Sequence, residues 1–117
     1  MTFESLVVEV QAVKAGWSVV KPPHAIGDSR VEHGFTLLAS RQGKKVAFDI
    51  LHDVGEVDVL WAFIKGMDTG IPVVIVALRG RPTDRAVKLA AEYGMRIVSP
   101  VEVGAILTWP PAAPIPA

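Results

Sequence analysis

At 117 residues the chain has the length of one domain with one core, and 50% hydrophobic against 21% charged residues excludes a disordered segment. Lys plus Arg, 12, equals Asp plus Glu, 12, which excludes coating of nucleic acid by bulk charge and leaves room for a local basic patch only. With no cysteine, disulfides, thiolate metal sites and a cysteine nucleophile are excluded together.

Phe3, Leu6, Val7, Val10 and Val13 recur at helical spacing behind a Thr2 cap, and Gly16 sits where such a helix ends. Trp17 to Lys21 reads as a short strand stopped by Pro22-Pro23, and His24 to Glu32 as a polar stretch without a period. Gly34 to Ser40 and Lys44 to Leu51 are strand-like runs joined through Arg41-Gln42-Gly43, a hairpin signal. Val57, Leu60, Trp61 and Ile64 return to helical spacing over Gly55 to Met67, and Trp61 is expected in the core. Ile71 to Leu78, rich in β-branched residues and bounded by Gly70 and Gly80, has the character of a strand buried on both faces. Thr83 caps a helix over Asp84 to Tyr93 that Gly94 ends; Met95 to Ser99 is a last strand and Pro100 to Leu107 a short helix. Residues 1–108 are expected to form a single domain, and 109–117, opening on Trp109, a proline-rich tail. The order α-β-β-β-α-β-α-β-α predicts an α/β fold, a mixed central sheet flanked by helices.

The longest strongly apolar run, Ile71 to Leu78, is far short of a membrane span, and Met1-Thr2-Phe3-Glu4 lacks the pattern of a signal peptide, so a soluble, cytoplasmic domain is expected. Asparagine is absent and glutamine occurs twice, a depletion that fits a thermophile. A mean hydropathy of +0.39 is high for a small monomer, and another subunit is expected to cover part of the surface.

The element order, with Gly16-Trp17-Ser18-Val19, Gly27-Asp28, His33-Gly34-Phe35-Thr36-Leu37-Leu38 and Gly43-Lys44-Lys45-Val46-Ala47-Phe48-Asp49-Ile50-Leu51 in these places, resembles the restriction-endonuclease-like nuclease superfamily, most closely its Mrr-type branch. The likeness continues through Val54-Gly55, Gly70-Ile71-Pro72-Val73-Val74-Ile75-Val76, Ala86-Val87-Lys88-Leu89-Ala90 and Gly94-Met95-Arg96-Ile97-Val98. It implies an αβββαβ core and metal-dependent cleavage of a phosphodiester. In that chemistry an Asp on the second strand and an acid or Gln on the third hold a divalent ion. A Lys two residues beyond the latter, on the same face, helps position the attacking water.

Matched onto this chain, those positions fall on Thr36, Asp49 and Leu51, so one of the chemical residues survives. Thr36 offers a neutral hydroxyl where Mg²⁺ requires anionic oxygen, and Leu51 carries neither proton nor charge. Loss of two partners in one site leaves little rate. Restoring it would take a migrated lysine, Lys45 or Lys65, with Glu9 supplying a carboxylate or Asp28 or Glu32 replacing the second-strand acid. A catalytically degenerate domain is therefore the expectation.

Other constellations are weighed on the residues themselves. Asp49, alone in an apolar strand, is either a metal ligand or an acid bonded to Thr36 or to backbone amides, and the second is preferred. If the hairpin closes tightly on Gln42-Gly43, Ser40 pairs with Lys45, Thr36 with Asp49, and His33 faces His52, where the two histidines either share a transition metal or are ordinary solvated strand-end residues, the second being preferred; a longer loop breaks that register. Arg79, Arg81, Arg85 and Lys88 surround a helix start whose Gly80 and Thr83 amides would seat a phosphate, and Arg41, Lys44 and Lys45 form a second basic cluster. Together these would contact a nucleic-acid backbone without reading sequence, unless they are ordinary solvated charge. The acidic run Asp49, Asp53, Glu56 and Asp58 would repel phosphate.

Two functions from different classes follow. One is a catalytically degenerate nuclease-like domain, without cofactor, acting as a nucleic-acid-binding or assembly module, either as a homodimer or as the non-catalytic subunit of a DNA-processing complex. The other is a DNA endonuclease with a rearranged site that needs Mg²⁺ or Mn²⁺. Neither involves a membrane.

Overall fold

The computed structural model describes residues 3–79 and 81–107. The Thr2 cap, the Gly80 amide, Trp109 and the proline-rich tail lie outside these residues. In chain order the elements are α1 (Phe3–Lys14), β1 (Ser18–Val19), β2 (His24–Ile26), β3 (Glu32–Gly34), β4 (Leu37–Arg41), β5 (Lys44–Leu51), α2 (Glu56–Thr69), β6 (Val73–Ala77), α3 (Asp84–Tyr93), β7 (Ile97–Val98), a 3-10 turn (Pro100–Glu102) and α4 (Val103–Leu107).

Connection length decides strand direction. The tight turn after Arg41 makes β4 and β5 antiparallel, whereas α2 and α3 are crossovers that make β5, β6 and β7 parallel. The result is a five-stranded mixed sheet in the order β1-β4-β5-β6-β7, flanked by helices. At the hairpin Gln42 (φ 51°) and Gly43 (φ 79°) both take left-handed backbone, the geometry that matches strand twist in a two-residue loop. The register is the one expected of a tight hairpin: Ser40 opposes Lys45, and Leu37 opposes Phe48.

Alternation along β5 then sorts side chains between two cores. Val46, Phe48 and Ile50 join Val8, Ala12, Ile106 and Leu107 beneath α1 and α4. Ala47 joins Val59, Ala62, Ala86 and Ala90 beneath α2 and α3. Asp49 continues the Ala47 row, so the acid faces α2. Trp17 is buried on the α1 side, and its Nε1 donates to the Leu107 carbonyl at 2.8 Å.

Two expectations are corrected. Trp61, expected in the core, is exposed with Val57, Leu60 and Ile64 on the outward face of α2, and Phe3, Leu6, Val10 and Val13 of α1 are exposed as well. The sheet takes the smaller residues, Ser5, Val8 and Ala12 from α1 and Val59 and Ala62 from α2. Close approach explains the choice on α2, where a Cβ on Gly66 would lie 3.2 Å from the Ile71 carbonyl oxygen. The stretch read as an unpatterned loop is a second, two-stranded sheet in which His24, Ala25 and Ile26 pair with Gly34, His33 and Glu32. No helix among the described residues is long and apolar enough to cross a membrane.

Candidate functional site

Asp49 sits near the end of β5 and is 8% exposed, a burial that a carboxylate tolerates only with partners. Its partner is Lys65, reaching down from the third turn of α2 with Nζ 2.6 Å from Asp49 Oδ2. The same ammonium donates to the Gly34 carbonyl at 3.0 Å and lies 4.9 Å above the centre of the Phe35 ring. Of the two lysines expected to migrate, the fold brings Lys65 to the acid and leaves Lys45 exposed beside the hairpin turn.

The pair lies in a cleft of about 330 Å³ whose walls include Thr36, Leu51, Asp58 and Trp61. Thr36 does not bond Asp49, as the hairpin register suggested. Its Oγ1 accepts from the Ile50 amide at 3.0 Å, because the ladder ends at Leu37 and leaves that N–H to a side chain. Leu51 stands two residues beyond Asp49 on the same face of β5 and packs against the α2-side core. Asp58 Oδ2 accepts from the Gly55 amide at 2.9 Å and so caps the start of α2.

These donors do not fit a divalent cation. Mg²⁺ is held through one or two carboxylates that are free to bind it, whereas of the two lining the cleft Asp49 is paired with Lys65 and Asp58 is bonded to the Gly55 amide at a helix start. Among the described residues no cluster of three acids or histidines has the geometry of a metal site. The replacement acids lie elsewhere: Glu9 is 3.4 Å from Lys21, Glu32 is 2.6 Å from His24, and Asp28 is exposed on the β2–β3 loop.

The proposed histidine pair is also corrected. His33 opposes Ala25 rather than His52, because it belongs to the separate β2–β3 ribbon. Its Nε2 lies 2.7 Å from Asp68 Oδ2, and Asp68 also accepts from Ser29, from the hydroxyl at 2.6 Å and the amide at 2.9 Å. The Ser29 hydroxyl, the His33 ring and then the Ser29 amide hold the Asp68 carboxyl down at about 2. This clasp ties the ribbon to the end of α2 and was not foreseen. Its one sequence signal is Gly27, where a Cβ would overlap the Asp68 carboxylate.

The two basic clusters do not form one surface. Lys44 and Lys45 begin β5, while Arg79 follows β6 beside the other end of β5, its amide donating to the His52 carbonyl. The eight residues of β5 separate them by roughly 25 Å. Arg79, Arg81, Arg85 and Lys88 are exposed, as expected, but Arg41 is half-buried and donates to the Ala15 carbonyl at 3.2 Å. Thr83 caps α3 through its hydroxyl, and its amide is spent on the Val54 carbonyl, so that amide seats no phosphate.

No family model matches the chain, and no curated protein does. Among solved structures the fold is similar to the crystal structure of a protein of unknown function, AF1548, with a TM-score of 0.64 at 15% identity. The likeness covers 82% of this chain and 57% of that one, so this chain spans little more than half of that protein's length. At that identity the likeness is one of fold.

Proposed function

We propose that this chain is a restriction-endonuclease-like domain, of Mrr type, that has lost phosphodiester chemistry and works as an assembly module. The observation that carries the reading is the state of the matched positions. The Asp49 carboxylate is held by Lys65, the Thr36 hydroxyl is held by the Ile50 amide, and Leu51 is apolar. Both carboxylates of the cleft are already engaged, Asp49 by Lys65 and Asp58 by the Gly55 amide, so neither is left as an unpaired ligand for a metal or base for water. The exposed apolar stripes of α1 and α2 favour assembly as the surviving role, since solvated helices do not ordinarily display repeated large apolar residues.

A second reading, the rearranged endonuclease, draws on one observation: Lys65 arrives beside Asp49 from a neighbouring element, where a migrated lysine would have to stand. Incubation of the chain with single- and double-stranded DNA in Mg²⁺ and in Mn²⁺ separates the two. The module reading expects intact DNA. Metal-dependent cleavage that Asp49→Ala abolishes would establish the enzyme instead.

A further inference from the structure

We propose that the outward stripe of α2, Val57, Leu60, Trp61, Ile64 and Met67, is the contact face of a two-fold homodimer, an inference that rests on the assembly reading above. These side chains are 62%, 41%, 58%, 41% and 69% exposed, although each is large and apolar. Together they leave on the order of 500 Å² of apolar surface to water, the upper range for a monomer. Two copies face to face would bury on the order of 1,000 Å², where specific interfaces begin. Tryptophan and methionine are also residue types that interfaces concentrate.

The occupant follows from symmetry. A two-fold contact requires one patch to be complementary to itself. The stripe reads the same in both directions about Ala62: Val57 and Met67 stand equally far from it, as do Leu60 and Ile64, with Trp61 beside the centre. Two antiparallel α2 helices therefore bring Val57 onto the second copy's Met67 position and Leu60 onto its Ile64 position, while their macrodipoles oppose favourably. The stripe of α1 has similar spacing but lies on the other face of the sheet. The stripe of α2 runs on into further relief: Met67 borders an apolar hollow of about 300 Å³ with Phe63, Ile71 and Met95, and Trp61 borders the Asp49–Lys65 cleft. A second copy seated there covers the mouth of that cleft.

The test is sedimentation equilibrium of the full chain at micromolar concentration, with folding of every variant checked by circular dichroism and thermal melting. The expected mass is twice 12.5 kDa. Leu60→Glu and Ile64→Lys should each weaken the dimer by roughly 100-fold, as interface centres do, and the double variant Leu60→Glu/Ile64→Lys should recover it by setting opposite charges across the two-fold. Met67→Glu, at the most exposed position of the stripe, serves if a central variant fails to fold. Leu6→Glu on α1 should leave the mass unchanged. A monomeric parent, a dimer indifferent to Leu60→Glu and Met67→Glu, or a dimer lost on Leu6→Glu alone would each overturn the interface. DNA cleavage by an intact dimer would instead overturn the loss of chemistry and leave the interface standing.

Discussion

The Lys65 ammonium closes on the Asp49 carboxylate at 2.6 Å, joining the third turn of α2 to the end of β5. The two side chains are 16% and 11% exposed, so water screens the pair poorly and each charge depends on the other. Lys65→Met should cost about 3 kcal/mol in urea denaturation, because it leaves a buried carboxylate without its cation. Asp49→Asn/Lys65→Met should recover most of that loss, since removing both charges removes the desolvation penalty with them. A loss below about 1 kcal/mol for Lys65→Met would show the pair to be screened like a surface ion pair.

Leu51→Lys restores the lysine at its matched position, yet it should not restore cleavage. Thr36 still presents a neutral hydroxyl, already accepting from the Ile50 amide, and the restored lysine would stand beside Lys65 over one carboxylate. Incubation of this variant with plasmid DNA in Mn²⁺ should leave the substrate intact. Turnover by the single substitution would mean that Asp49 alone suffices to organise the metal.

Much of the sheet was legible because local chemistry determined it. Gln42-Gly43 tolerates left-handed backbone at both turn positions, so the β4–β5 register followed, and with it the facing of Asp49 and Leu51. The run from Ile71 had the composition of a central strand, and β6 is one. The helix faces were harder, because α1 and α2 each carry two apolar sets at compatible spacing, and periodicity does not say which meets the sheet. Small residues meet it, since backbone proximity limits side-chain size. Lys65 was one of two possible migrated lysines until tertiary packing chose between them. The Asp68 clasp left no signal beyond Gly27, because its partners Ser29 and His33 lie more than thirty residues away in the chain.

Nucleic-acid binding by the basic residues makes a separate, quantitative prediction. Arg79, Arg81, Arg85 and Lys88 lie at one end of β5, and Lys44 and Lys45 lie roughly 25 Å away at the other. The Arg79 end is also near Asp53, whose charge opposes phosphate. Any duplex binding should therefore involve at most about four phosphates, giving a slope of log K against log salt no steeper than roughly −3.6. Arg79→Ala should reduce the slope by about 1, and Lys44→Ala should not change it. A slope of roughly −5.4 would show that both ends engage one duplex and would restore DNA to the centre of the functional account.

The clasp at Asp68 should contribute to the acid dependence of the fold, together with Glu102, whose carboxyl the Ser99 amide and hydroxyl also lower. Its carboxyl titrates at about 2 in the native state against 3.8 for the ordinary group, with the Ser29 hydroxyl as the largest cause and the His33 ring next. A carboxyl lowered by folding binds fewer protons in the native than in the unfolded chain, so its contribution is complete above pH 3.8 and disappears as pH falls toward 2. Denaturation of the parent chain should therefore weaken progressively through that window, while Asp68→Asn should flatten the dependence there and lower stability above it. Gly27→Ala offers an independent approach: its Cβ would overlap the Asp68 carboxylate, so the acid must leave Ser29 and His33 or the ribbon must shift. That variant should lose the same acid dependence as Asp68→Asn although no titrating group has been removed. Unchanged acid dependence in both variants would show that the ribbon is held to α2 by contacts other than this carboxylate.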